Sequence, residues 1–185
     1  AARSRGGRPI IALPSTAKVL LFVGRINPKK RLEDIIAAFA ELAPREPDLH
    51  LILAGQADDA YLRALRALVE RTGLSARVRW VGFLDETAKP AAFAAADCFV
   101  HASVSEGMAL AILEAMAHGL PVVATEGCYM RAAAELGALR ECAQGGAALA
   151  AALAPVLAEP AAARALGAAG RRYIQEKHDW DRLAR

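Results

Sequence analysis

SVSEGMALAILEAMAHGLPVVAT, residues 103–125, holds two glutamates, Glu106 and Glu114, separated by seven residues. An apolar run at 98–102 precedes it, and a Gly119-Leu120-Pro121 stop leads into a second apolar run at 122–124. Short apolar runs bounded by turn residues fit strands covered on both faces, as in a parallel sheet. The whole stretch reads as strand, acidic loop, helix, turn, strand. Glu106-Gly107 is expected at the mouth of the helix and Glu114 about two turns in. A helix that follows a parallel strand presents unpaired N–H groups and the positive end of its dipole, which suits anions and polyols.

Outward from this unit the same alternation covers the chain. The run at 19–23 is wholly apolar. Pro28 permits a helix to begin, Ile35, Ile36, Phe39 and Leu42 supply its apolar stripe, and Pro44 and Pro47 end it. A second strand is expected at 49–54, closed by Gly55. The stripe Tyr61, Leu62, Leu65, Leu68 and Val69 marks the next helix, ending near Gly73. A short strand at 78–81 and a helix around 87–96 follow. Beyond Gly127 the pattern weakens: 139–142 is expected as a last short strand, and 147–157 and 161–175 as alanine-rich helices split by Pro160. Strand and helix in alternation predict an α/β fold, a doubly wound, mostly parallel sheet with helices on both faces.

At 185 residues one domain is expected, with enough chain for a substantial core. Alanine supplies much of the apolar content, which points to tightly packed helices. Arginine or acidic residues interrupt every long apolar segment, so no membrane span is expected, and no signal peptide is visible. The opening AARSRGGRP reads as a loop or linker, so the sequence is expected to be an excised fragment. Residues 1–17 would be a linker or partial strand region, and 18–185 the domain.

The net charge of +3 is too small to argue for nucleic acid. Locally, Arg25, Lys29, Lys30 and Arg31 cluster after the first strand. Cations at a helix start oppose its dipole unless an anion balances them, which favours a phosphate site. The three cysteines are odd in number and form no C-x-x-C pair, so neither a disulfide framework nor a zinc site is expected, and a reducing cytosol fits. Among the four scattered histidines, His118 reads as a helix end. Asp58-Asp59 reads as acids at a helix start, and no metal site is expected.

In sheets of this kind ligands bind beyond the carboxyl ends of the strands. The conspicuous polar groups all fall there: Gly24-Arg25, Gly55-Gln56, Gly82-Phe83 and the loop at 103–107. Their coincidence argues for one shared site. Arg25 and Lys30, five residues apart across a strand-to-helix turn, can face the same pocket. The apolar neighbours of Glu114 suggest a buried helix, where a carboxylate requires a partner.

The stretch 103–125 resembles the E-x7-E signature of the retaining GT-B glycosyltransferases of family 4. LLFVGRINPKKRLEDIIAAF (20–39) resembles the strand-GR-x4-K-helix segment of that family. LHLILAGQADDAYL (49–62), RVRWVGFLDE (77–86) and AAADCFVHAS (94–103) resemble its next three strand regions, in order. The resemblance runs from about Val19 to Trp180 and corresponds to the C-terminal, donor-binding half of such an enzyme.

It implies a Rossmann-like half of a GT-B fold that binds a nucleoside diphosphate sugar without a cofactor or metal, with the acceptor bound by an N-terminal domain absent from this chain. It implies that Arg25 and Lys30 clamp the diphosphate, that Glu114 binds ribose hydroxyls, and that Glu106 holds the donor sugar near the reacting carbon. Glu106, Arg25 and Lys30 would be the catalytic set. Gly24, Gly82, Phe83, Leu84, Ser105, Gly107, Met108 and Ala109 would join Glu114 in binding substrate, with Gly82, Phe83 and Leu84 against the base. The implied setting is cytoplasmic, or the inner face of a membrane in a full-length protein. The fragment alone would bind nucleotide but transfer little.

Four positions depart from the family pattern. Arg31 stands where glycine is common, and Gly107-Met108-Ala109 replaces Gly-Phe-Gly or Gly-Phe-Pro. Gly55-Gln56-Ala57 replaces Gly-x-Gly. The segment after Thr125 keeps Glu126 and Gly127 but lacks a Gly-Gly run. Two other readings compete: another GT-B enzyme, such as a phosphorylase or nucleotide-sugar epimerase, and a non-enzymatic receiver-like module. A receiver needs aspartates at its strand ends, where this chain has Gly24-Arg25 and Gly55-Gln56. The first strand is also not followed by G-x-G-x-x-G, against a dinucleotide-binding domain.

Overall fold

The computed structural model describes residues 13–14 and 16–177. The linker expected over 1–17 lies almost wholly outside them, as does Trp180. Six strands form one parallel sheet in the order β3-β2-β1-β4-β5-β6. They are β1 (Lys18–Val23), β2 (Leu49–Ala54), β3 (Val78–Gly82), β4 (Cys98–His101), β5 (Val122–Thr125) and β6 (Arg140–Cys142). From β1 the chain winds outward to β3, crosses back to β4, and winds outward again to β6. The doubly wound α/β sheet expected from the sequence is thus the observed fold, and the strand order reverses between β1 and β4.

Why these runs become central strands follows from their two-sided burial. In β1, Leu20 and Phe22 enter one core with Leu51 and Leu53 of β2. That core is closed by α1 (Leu32–Leu42) and α6 (Gly146–Ala158) through Ile35, Phe39, Leu149 and Leu153. Val19, Leu21 and Val23 enter the opposite core with Phe99 and Val122. There α3 (Lys89–Ala95) contributes Phe93, and α4 (Leu110–Ala117) contributes Ile112 and Met116. Successive side chains of a strand point to opposite faces, so a strand buried on both sides must be apolar throughout. Each fully buried aliphatic or phenylalanine side chain contributes about 1.5–3 kcal/mol relative to exposure.

The remaining helices are α2 (Asp59–Arg71), α5 (Arg131–Glu135) and α7 (Pro160–Lys177). Asp58 caps α2 by accepting from the Ala60 and Tyr61 amides, so the acidic pair is a helix start, as read from the sequence. Pro160 opens α7. Gly167 of α7 lies against the Gly119 turn so closely that a Cβ there would run into the Gly119 carbonyl. Among the described residues no single helix is long and apolar enough to cross a membrane.

Two local expectations are corrected. Pro28 does not open α1; it opens a 3-10 turn, Pro28–Lys30, capped by the Asn27 side chain accepting from the Lys29 amide at 3.1 Å. Arg31 then turns left-handed (φ 47°, ψ 47°), and α1 begins at Leu32 with Glu33 and Asp34 in its first turn. The cations therefore sit in a turn ahead of the helix, and acids occupy the dipole end that favours them. At α4, Glu106-Gly107 is not the helix mouth. Residues 102–109 form a loop, Ala109 is the N-cap, and Glu114 lies in the second turn.

Candidate functional site

A cleft of about 430 Å³ opens over the carboxyl ends of β1, β2 and β4, where the strand order reverses. Such switch points leave a crevice because the connections leave in opposite directions. Gly24 and Arg25 follow β1 into its wall, Gly55 and Gln56 follow β2, and Phe83 and Leu84 follow β3. The end of the loop before α4 and the first turn of α4 close the far side through Met108, Ala109, Leu110 and Ala111.

The floor depends on close backbone packing. The Gly55 amide donates to the Gly82 carbonyl at 2.7 Å, and Gly24 donates to Ala54 at 3.0 Å. Gly55 has φ 153°, and a Cβ there would run into the Gly24 carbonyl. Only glycine keeps β1 and β2 this close at their exit.

Two loops bring the charged groups together. The 3-10 turn carrying Lys30 is stitched to the loop carrying Glu106. The Val104 amide and the Ser103 hydroxyl donate to the Lys29 carbonyl at 2.9 and 3.0 Å. From below, the Glu106 amide donates to Gly127 at 3.1 Å. The Ser103 carbonyl accepts from Thr125 Oγ1 and Gln144 Nε2 at 2.9 and 3.0 Å. Gly127 thus supports the Glu106 loop; a Cβ there would run into the Ser103 carbonyl and the Gln144 amide.

Within this frame Lys30 Nζ contacts Glu106 Oε1, and the same oxygen accepts from His101 Nε2 at 3.0 Å. Burial pushes the Glu106 carboxyl up, but hydrogen bonds from His101 and Lys30 outweigh it and hold it down to about 2. Glu106 is therefore an ionised group in a shielded place. At the other end, Lys89 Nζ bridges Glu114 Oε1 and Glu86 Oε1, each at 2.7 Å. Those carboxylates, Glu114 first, raise the affinity of Lys89 for its proton.

Of the residues singled out in the sequence, Gly24, Arg25, Lys30, Phe83, Leu84, Glu106, Met108, Ala109 and Glu114 line this one cleft. Gly82, Ser105 and Gly107 do not. Gly82 turns the chain below the wall by accepting from Gly55, Ser105 is exposed on the loop, and Gly107 faces open space. Arg31 stays outside the cleft, bonded through Nε and Nη2 to Asp34 at 3.0 and 3.1 Å. Phe83 is 68% exposed, so it is an aromatic face at the cleft mouth and not a core residue.

The burial inferred for Glu114 is corrected: its side chain is 37% exposed. Helix α4 buries Ile112, Ala115 and Met116 and turns Glu114 towards the cleft. Sequence reasoning missed His101 and Lys89. His101 ends β4 five residues before Glu106, and that strand-end position was the available signal. Lys89 starts a helix and reaches across 25 residues to Glu114, which no local pattern shows. Among the described residues no group of three His, Cys, Asp or Glu could hold a metal ion, and Cys98, Cys128 and Cys142 are free thiols.

The arrangement offers cations (Arg25, Lys30) beside an ionised carboxylate, an exposed aromatic face, and a second carboxylate about one helical turn into α4. That set can hold a diphosphate between polyol groups. The sequence profile described as "Glycosyl transferases group 1" matches residues 7–173. D-inositol 3-phosphate glycosyltransferase 2 of Catenulispora acidiphila is 39% identical over 130 residues, 65% of this chain and 30% of that protein. Sucrose-phosphate synthase from Thermosynechococcus elongatus superposes with a TM-score of 0.84 at 32% identity, over 93% of this chain and 44% of that one. Anabaena Alr3699/HepE, solved in complex with UDP and glucose, shares the fold with a TM-score of 0.83 at 24% identity, over 92% of this chain and 48% of its own. The chain thus spans less than half the length of each.

Proposed function

The chain belongs to the group 1 glycosyl transferases and has the fold of a GT-B domain, and from that premise we propose that it is the donor-binding domain of a retaining, family 4 enzyme. The reaction moves a sugar from a nucleoside diphosphate to an acceptor hydroxyl. The bond between the anomeric carbon and the diphosphate oxygen breaks, the acceptor oxygen bonds to that carbon, and the acceptor's proton passes to the departing diphosphate oxygen. No residue is assigned as a nucleophile. Sites for the acceptor belong to an N-terminal domain of the longer protein.

Arg25 and Lys30 take the diphosphate, whose charge grows as it leaves. Fixed cations answer that charge without reorganising. Glu106 meets the sugar hydroxyls and opposes positive charge at the anomeric carbon. Glu114 accepts from the ribose hydroxyls, and Phe83 lies against the base. Anabaena Alr3699/HepE, solved with UDP-glucose at 25% identity to this chain, supports a sugar nucleotide as donor, and the three free cysteines fit a reducing, cytoplasmic setting.

The observation that carries the reading is the meeting of Arg25, Lys30, Glu106 and Glu114 in one cleft at the switch point, from four separate positions in the chain. A thermal-shift series with UDP, GDP, ADP and their sugars tests it, since a ligand of the folded state raises its stability. One base should raise the midpoint well above the others. A flat response to all three would remove the reading.

A further inference from the structure

His101 has no part in the function proposed above, yet it underlies the cleft. It is 2% exposed at the end of β4, stacked on Phe22 with ring centroids 5.3 Å apart and on Phe99 at 6.1 Å. Its Nε2 meets Glu106 Oε1 at 3.0 Å, and its Nδ1 is buried without a hydrogen-bond partner. Those two facts place the proton. An ionised carboxylate only accepts, so Nε2 donates. An imidazolium would put a second N–H on Nδ1, buried with no acceptor, which is costly. The ring is therefore neutral, with Nε2 protonated and Nδ1 bare. Burial drives it the same way and outweighs the pull of Glu106, holding the ring's pKa below the usual histidine range.

Lys30 shares Glu106 Oε1 with His101. A diphosphate in the cleft competes for the charge of Lys30. The Glu106 side chain is only 10% exposed, so a carboxylate losing its cation there takes up a proton or turns away unless another donor stays. His101 is such a donor. Its ring is locked by stacking, and being uncharged it does not itself compete for phosphate.

We propose that His101 is a positioning residue that keeps the Glu106 carboxylate facing the cleft, and able to accept from a sugar, while Lys30 serves a bound diphosphate. The proposal rests on the nucleotide-sugar reading of this cleft. Were His101 only filling the aromatic stack, phenylalanine would serve equally well.

The test compares the parent chain with His101→Phe, which fills the stack without a donor, and His101→Gln, whose amide N–H reaches the place of Nε2. The acid titration of the Glu106 carboxyl is followed by carbon-13 NMR, alone and with saturating UDP or GDP. The other charged groups lining the cleft are Arg25, Lys30, Glu86, Lys89 and Glu114, with the Cys128 thiol against the His101 carbonyl behind. A long-range proton–nitrogen spectrum of the parent reads the His101 ring.

The expected spectrum shows Nδ1 bare and Nε2 protonated at neutral pH. The nucleotide should raise the Glu106 midpoint in His101→Phe by roughly one pH unit or more beyond its effect on the parent. His101→Gln should return it towards the parent. Equal midpoints in the parent and a folded His101→Phe overturn the proposal, as does an Nδ1-protonated ring. Should His101→Phe not fold, His101→Gln and the parent's ring spectrum decide: a Glu106 midpoint far above the parent's in His101→Gln overturns it. A parent that binds neither nucleotide overturns the reading of the cleft and with it this role, and the ligand-free midpoints still tell whether His101 holds Glu106.

Discussion

Lys30 answers two anions, Glu106 in the free domain and a diphosphate in the proposed complex, and this separates it from Arg25. Arg25 is exposed on the cleft wall, and among the described residues it has no carboxylate to give up. Arg25→Ala and Lys30→Ala should each weaken diphosphate binding by about 1.5–3 kcal/mol, the scale of a charge-assisted hydrogen bond. Calorimetry with the diphosphate and with the bare nucleoside checks this, and the nucleoside should be indifferent to both changes. If both variants bind like the parent, the clamp lies elsewhere.

Glu106 gives a pH dependence with a definite sign. Its carboxyl is held from 4.5 down to about 2 in the folded state, so it contributes stability above the unfolded value and loses it as pH falls through the folded one. The contribution is on the order of 3 kcal/mol above pH 4.5 and falls away as the pH drops towards 2. Urea midpoints of the parent and Glu106→Gln should therefore diverge above pH 4.5 and converge towards pH 2. Parallel curves would show that the ion pair contributes nothing net. Glu114→Gln should weaken ribonucleotide binding about tenfold and the 2′-deoxy analogue less. Equal losses would separate Glu114 from the ribose.

Arg25, Lys30, Glu106 and Glu114 were legible because each stands beside a strand end or on the helix that follows. The Lys30–Glu106 contact was not, since 76 residues separate its partners and only the sheet order joins them. His101 was hidden by its place in an apolar run, where a strand buried on both faces has no polar side to flag an exception. Arg31 sits where the left-handed turn suits glycine, and its bonds to Asp34 offset that backbone cost.

Among the elements, strands and helices were legible from period and punctuation, whereas the junctions were not. A proline can open a 3-10 turn as readily as a helix, so residues 28–31 read as the start of α1. The eight-residue loop before α4 reads from sequence as a shorter lead-in, because Glu106-Gly107 followed by apolar residues mimics a helix start. What the helices press against was also hidden. Gly167 and Gly170 lie inside α7, where glycine costs helix stability, and their reason is contact with the Gly119 and Ala138 carbonyls. Gly167→Val should cost about 1–3 kcal/mol by pushing α7 off the turn before β5. Chemical denaturation checks this, and a value within 0.5 kcal/mol of the parent would mean that α7 shifts freely.

For the molecule as a whole, binding without metal is the broadest expectation. The cations of the cleft are side chains, and no three metal-ligating residues meet among the described residues. Titration with a nucleoside diphosphate should give the same affinity with and without EDTA, and loss of binding with EDTA would remove the metal-free reading. The sheet's outer strands have a different consequence. β3 carries exposed Arg79, and Arg77 covers its entrance by donating to the Ala43, Glu46 and Pro47 carbonyls. β6 is three residues long and begins with exposed Arg140. A flank this short, or this strongly charged, is a poor template for a neighbouring chain's backbone. Concentrated samples should resist strand-to-strand aggregation.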